Sequence, residues 1–182
     1  VALTATMMKF RLEVSDVDRG VYETVELRVA QHPSESDAFL VTRVLAFALE
    51  SGPEGLEMGR GVSTPEDPAI WRRDPTGTIE LWVDIGNPST ERLHRASKAS
   101  RDVAVYTHKD AELLQRKVAQ TRVYRAEDIA LYAVGPELIE PLAERLGRQN
   151  DWSVVRTGAD VYVTAGGQAI TGQIVRLPLV SG

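Results

Sequence analysis

The segment that most constrains the fold runs HPSESDAFLVTRVLAFALE, from His32 to Glu50. Leu40, Val44 and Phe47, flanked by Val41, Leu45 and Ala48, recur at helical spacing and form a continuous apolar stripe. Pro33 and then Ser34, three residues before Asp37, resemble a capping box and predict the helix start. Gly52 and Pro53 close it. A helix with such a stripe needs a second layer to cover it.

The rest of the chain supplies strands for that layer. Residues 3–14 and 22–30 alternate, with Ser15, Asp16, Asp18, Arg19 and Gly20 as the turn. Thr24, Glu26 and Arg28 face one way and Val25, Leu27 and Val29 the other, which predicts a hairpin with one wet face. Residues 51–77 are rich in Gly, Pro, Ser, Asp and Glu and read as irregular chain with one short strand. TGTIELWVDIG then alternates: Ile79, Leu81, Val83 and Ile85 on one face, Glu80, Trp82 and Asp84 on the other. Pro88 and Ser89 open a helix, DVAVYTH is a strand, and a further helix spans 111–120. A strand at 128–133 and a helix at 136–148 follow. Residues 151–178 read as a meander turning at Thr157–Gly158 and Gly166–Gly167. The expected fold is α/β (α+β): one domain over residues 1–182 with a mixed central sheet, the N-terminal hairpin on one side and the C-terminal meander on the other.

Composition narrows the function classes. A chain of 182 residues, 43% hydrophobic and 26% charged, can bury a full core. It has no cysteine, which removes disulfides, thiolate metal sites and cysteine nucleophiles and fits a reducing compartment. A formal net charge of −5 disfavours a non-specific nucleic-acid coat protein and leaves room for one local basic patch. No stretch is apolar enough to span a bilayer, and VALTATMMKF lacks a signal-peptide pattern, so a soluble cytoplasmic protein is expected.

Three features carry chemistry. Glu80 and Asp84 share a strand face with Trp82 between them. Alone, they read as harmless acids on a half-exposed strand. Yet Asp84 stands where a strand turns, through Ile85, Gly86, Asn87 and Pro88, into a helix, a common place for ligands and metals. The loop STPEDPAIW places Glu66 and Asp67 where they can fold back over that strand, or serve as a solvated turn. The next helix carries Arg92, Arg95 and Lys98, followed by Arg101, with His94 four residues before Lys98. Loop acid, strand acid and neighbouring cation are the ingredients of metal-dependent phosphodiester hydrolysis, with Mg²⁺ or Mn²⁺ suited to the oxygen donors. The same groups can form a structural ion network of the acids with Arg92 or Arg95. His32, His94 and His108 show no metal-ligand spacing, and His32 before Pro33 reads as a turn residue. Trp71, Trp82 and Trp152 read as core anchors, with Trp82 alternatively flanking a pocket and stacking on a base.

The runs RGVSTPEDPAIW, GTIELWVDIGNP, HRASKAS and DVAVYTH, with the earlier DRGVYETVELRVAQHPSESD and LAFAL, resemble the YaeQ family of bacterial proteins over nearly the whole chain. That resemblance implies a restriction-endonuclease-like core of the PD-(D/E)XK phosphodiesterase superfamily, in variant form. Carried over, Asp67 and Asp84 would ligate metal, and Glu80 would bind metal or orient water. The superfamily's lysine belongs two residues after the acid, where this chain has Gly86 or Trp82. Lys98 or Arg95 from the following helix would then steady the phosphate, with Arg95 unable to act as a base. The alternative is a non-catalytic nucleic-acid- or protein-binding regulatory protein that keeps the nuclease fold.

Overall fold

The computed structural model describes residues 4–60 and 65–181. Leu3 of the expected first strand and Ser63 and Thr64 of the acidic loop lie outside the described residues. The alternating segments form β1 (Thr6–Asp16) and β2 (Val21–Gln31), paired antiparallel along their full length. The outer face is wet as expected: Thr24, Glu26 and Arg28 are exposed.

Helix α1 (Asp37–Glu50) starts two residues later than the capping-box reading required. Ser36, and not Ser34, is the cap: its hydroxyl accepts from the Phe39 N–H at 3.1 Å. Ser34 instead bonds the His32 ring at 2.8 Å, tying the turn that His32 was expected to occupy. The stripe is wider than the sequence suggested, and ten consecutive residues from Leu40 to Leu49 are buried.

Two short strands, β3 (Leu56–Met58) and β4 (Ile70–Arg73), replace the single one expected before β5 (Ile79–Ile85). Then come α2 (Thr90–Ala99), β6 (Ser100–Thr107), α3 (Ala111–Ala119), β7 (Ala130–Val134) and α4 (Pro136–Glu144). Helix α4 ends before the expected Arg148. Asn150 accepts from the Gly147 N–H at 2.9 Å and donates to the Lys9 and Gly147 carbonyls, drawing this segment into a strand turn. The meander is β8 (Gln149–Thr157), β9 (Asp160–Ala165) and β10 (Gln168–Leu177).

The described strands form one ten-stranded mixed sheet in the order β2-β1-β8-β9-β10-β7-β6-β5-β4-β3. Hairpin and meander therefore lie on the same side of the β7–β6–β5 region, which corrects the expectation of one on each side. The cause is the parallel pairing of β1 with β8, which sets Leu12 beside Trp152 and Val14 beside Val154, all four buried. Phe10 meets Trp152 edge-on at 5.2 Å. β10 joins the two regions, pairing with β9 from Gln168 to Gln173 and with β7 from Ile174 to Leu177. Gly172 marks the crossing: a Cβ there would lie 2.6 Å from the Glu137 and Leu138 side chains at the start of α4, so only glycine lets the strand approach.

Two apolar clusters follow. One packs α1 and α4 against the sheet, with Leu40, Leu45, Val83, Leu138 and Leu142 fully buried or nearly so. The other packs α2 and α3 against the opposite side through Trp82, Leu93, Val105 and Leu114. β5 is thus covered on both faces, as strands in parallel pairing with flanking helices usually are. This overturns the half-exposed reading: Trp82 and Asp84 are 4% and 2% exposed. Trp82 lies under α2 and offers no face to a base. No described helix is long and apolar enough to cross a membrane.

Candidate functional site

β5 and β6 run parallel and end together, and α2 and α3 leave from those ends. A cleft of about 450 Å³ opens there, lined among others by Phe39, Asp67, Asp84, Asn87, Arg92 and Lys109. It is the crevice outside the carboxyl ends of parallel strands where α/β proteins bind ligands.

Asp84 lines it from the end of β5. Ser89 caps α2 by accepting from the Arg92 N–H at 3.1 Å, which fixes Arg92 in the first helical turn. From there the guanidinium reaches back over the strand end. Its Nε donates to Asp84 Oδ2 at 2.7 Å and its Nη2 to Asp84 Oδ1 at 2.9 Å, a two-pronged pair with a carboxylate only 3% exposed. Arg92 also donates to the Asp67 carbonyl at 2.7 Å and to the Pro65 carbonyl. One arginine thereby holds the strand acid and the backbone of the acidic loop together.

Asp67 reaches the cleft from that loop, and its carboxylate accepts from Arg60 Nε at 3.0 Å. Glu80 does not line the cleft; it sits lower on β5 and meets Arg72 at 3.3 Å. Among the described residues no three His, Cys, Asp or Glu side chains gather as a metal-binding group. The structure therefore brings Asp67 and Asp84 to one cavity and leaves Glu80 outside it.

The basic stretch divides. Arg92 turns inward, while Arg95, Lys98 and Arg101 are exposed and outside the cleft lining. Lys98 stands 6.0 Å from the Tyr124 ring, and His94 accepts from the Tyr124 N–H at 3.0 Å in place of pairing with Lys98.

Sequence reasoning missed the contribution of the strand beside β5. Lys109 lines the cleft just beyond β6, its backbone N–H donating to Thr107 Oγ1 at 3.0 Å. Thr107 in turn donates to the Asn87 side chain at 2.8 Å, and Asn87 donates to the Asp110 carbonyl at 2.9 Å, locking the two strand ends together. His108 lies beside the cleft wall, edge-on to Phe39 at 6.4 Å. Burial, helped by the Lys109 charge, holds its imidazole below the usual histidine range and so neutral at pH 7. The sequence offered a partial signal, a lysine just after the expected strand DVAVYTH, but not that this strand lies parallel beside the one carrying Asp84.

The glycine two residues after Asp84 has a backbone cause. Gly86 has φ +81°, and its N–H donates to the Tyr106 carbonyl at 2.8 Å. Lysine is disfavoured in that conformation, whereas glycine takes it freely.

The family model described as "YaeQ protein" matches residues 1–174. The chain belongs to the YaeQ family. YaeQ relatives named "Uncharacterized protein YaeQ" from Escherichia coli (strain K12) and Shigella flexneri are each 33% identical over 108 residues. Those alignments span 59% of this chain and 59% of each relative. The crystal structure of YaeQ protein from Xanthomonas axonopodis pv. citri is similar with a TM-score of 0.86 at 34% identity, covering 96% of this chain and 99% of that one. That of YaeQ protein from Pseudomonas syringae gives 0.85 at 28% identity, over 98% and 97%.

Proposed function

We propose that this member of the YaeQ family is a metal-dependent phosphodiesterase of variant PD-(D/E)XK type that acts on nucleic acid at the β5–β6 cleft. One observation carries the reading: two acids from separate elements, Asp67 and Asp84, line one cavity that also presents Lys109. Mg²⁺ and Mn²⁺ take hard oxygen donors, and Mg²⁺ is commonly held by one or two carboxylates together with water and substrate phosphate. Asp67 and Asp84 would hold the ion; when bound, it supplies Lewis acidity and a more acidic water. Glu80 has no part in this arrangement. Lys109 replaces Lys98 and Arg95 as the cation facing the phosphate, and Arg92 steadies charge once it leaves Asp84. The exposed Arg95, Lys98 and Arg101 offer a local patch for the backbone of a longer strand.

The Arg92 pair favours a second reading. With both Asp84 oxygens occupied, the cleft is suited to binding without chemistry, as in a regulatory protein that keeps the nuclease frame. Cleavage assays on labelled single- and double-stranded DNA and RNA, with Mg²⁺ or Mn²⁺ against chelator, separate the two. Metal-dependent cutting lost in Asp84→Asn supports the phosphodiesterase. Binding of the same oligonucleotides without cutting supports the regulatory protein.

A further inference from the structure

The two edges of the sheet are built differently. β3 ends one side with only three residues, a short edge of the kind that discourages further pairing. β2 ends the other side with eleven residues, VYETVELRVAQ. It contains no proline or lysine, and its register against β1 is unbroken from Val21 to Gln31. Of the usual devices that protect an edge, β2 has charged side chains, Glu23, Glu26 and Arg28, but neither a proline nor a break in register.

Its side chains are self-complementary. Glu26 and Arg28 lie on the same exposed face, and neither has an ion-pair partner among the described residues. Within the protein, Arg28 stands directly opposite Lys9 of β1, a like-charge cross-strand pair that costs stability. On the other face Val25 and Leu27 are only partly buried against the core.

We propose that β2 is a homodimerisation edge, where two copies pair their β2 strands antiparallel about Leu27 and continue the sheet from one protomer into the next. In that register Glu26 of each copy stands opposite Arg28 of the other, twice by symmetry. Val25 faces Val29, Leu27 faces Leu27, and Thr24 faces Ala30. Arg28 gains a carboxylate on its open side to offset Lys9, and the half-covered Val25 and Leu27 gain an apolar neighbour. A shifted register opposes like charges or leaves these apolar positions mismatched, so the charge pattern selects both the occupant and the alignment. One strand pair is a small interface, so the dimer dissociates on dilution. This inference is independent of the activity proposed for the cleft.

Sedimentation velocity on the full chain over a wide concentration range tests it. The wild type should shift from monomer to dimer as concentration rises. Glu26→Arg and Arg28→Glu should each remain monomeric, because each places like charges opposite one another across the axis. The double variant Glu26→Arg/Arg28→Glu should dimerise again, since it restores both pairs with their signs exchanged. Arg28→Glu also sets a carboxylate beside Lys9, so a monomer in that variant does not reflect unfolding; circular dichroism on all four proteins confirms this. A wild type that stays monomeric, single variants that still dimerise, or a double variant that fails to recover would each overturn the proposal.

Discussion

Asp84 and Arg92 are joined by two N–H···O bonds of 2.7 and 2.9 Å, with the carboxylate almost fully buried and the guanidinium about a fifth exposed. The pair does structural work, because the same arginine ties the Asp67 loop to the end of β5. It also decides how the cleft can function, because a ligand that needs Asp84 must displace Arg92.

Arg92→Ala leaves a buried carboxylate with no counter-charge and frees the loop carbonyls. Breaking a fully buried pair costs about 3–5 kcal/mol, and the partial exposure of Arg92 reduces this to about 2–4 kcal/mol. Asp84→Asn costs less, since the arginine it strands reaches solvent. The double variant Asp84→Asn/Arg92→Ala should cost less than the sum, with a coupling of about 1–3 kcal/mol. Urea denaturation of the four proteins measures this; strict additivity would show that the pair contributes nothing.

Metal affinity should follow a different order from stability, because replacing Arg92 weakens the fold but frees Asp84. If Asp67 and Asp84 hold a divalent ion, Arg92 competes for Asp84, so Arg92→Gln should bind Mn²⁺ more tightly than wild type. Asp84→Asn should bind it more weakly than either. Calorimetric titration with Mn²⁺ gives the order. Equal or undetectable binding in all three proteins would remove the metal site and leave the regulatory reading.

Much of the fold was legible because its signals are local. Helix stripes, turn residues and period-two alternation placed α1, the hairpin, β5 and the meander. The side of the sheet to which hairpin and meander attach was not legible, because it rests on the pairing of Lys9–Asp16 with Gln149–Arg156, far apart in sequence. Asp84 was found from its place at a strand end, yet its burial was not, because alternation cannot show that a second helix layer covers the opposite face. Lys109 escaped because its relevance depends on β6 lying beside β5.

Lys109→Met removes the cleft cation that the strand neighbouring β5 supplies. If nucleic-acid phosphate enters the cleft, the affinity for a labelled oligonucleotide should fall and the slope of log affinity against log salt should drop by about 1. Fluorescence anisotropy at several salt concentrations reads both. An unchanged slope would place the phosphate elsewhere, with Arg95, Lys98 and Arg101 the next positions to replace.

Gly86→Ala forces a side chain into a left-handed backbone conformation at the mouth of the cleft, where the Cβ would approach His108 Cε1 at 3.8 Å. The space is adequate, so the cost is that of the backbone, about 1–2 kcal/mol. Gly86→Lys should carry the same penalty and give no gain in cleavage or oligonucleotide binding. Thermal denaturation beside the cleavage assay checks this; a stable and more active Gly86→Lys would show that the backbone conformation does not dictate glycine here.

The pH dependence of stability should carry a mark from Glu50, at the end of α1. Burial pushes its carboxyl above the usual range, outweighing the Tyr106 hydroxyl that donates to it at 3.1 Å and the charges of Arg19, Arg72 and Arg156. The folded state then holds this proton more tightly than the unfolded chain. Its contribution is therefore fully present below the unfolded value of about 4.3 and is lost as pH rises through the raised folded value. Asp16 acts in the opposite sense: burial pushes it up, but the hydrogen bonds and charge of Arg19, with the charge of Arg156, hold it below its ordinary value. Its contribution is present above the unfolded value and lost as pH falls through the folded one. Glu35 shifts in the same direction as Glu50, so the wild-type curve alone cannot assign the effect. Glu50→Gln keeps an acceptor for Tyr106 and removes the titration. The stability of Glu50→Gln relative to wild type should increase as pH rises from 4 into the neutral range and then level off. Urea midpoints across that range measure the difference, and a constant offset at every pH would show that Glu50 titrates alike in the folded and unfolded states.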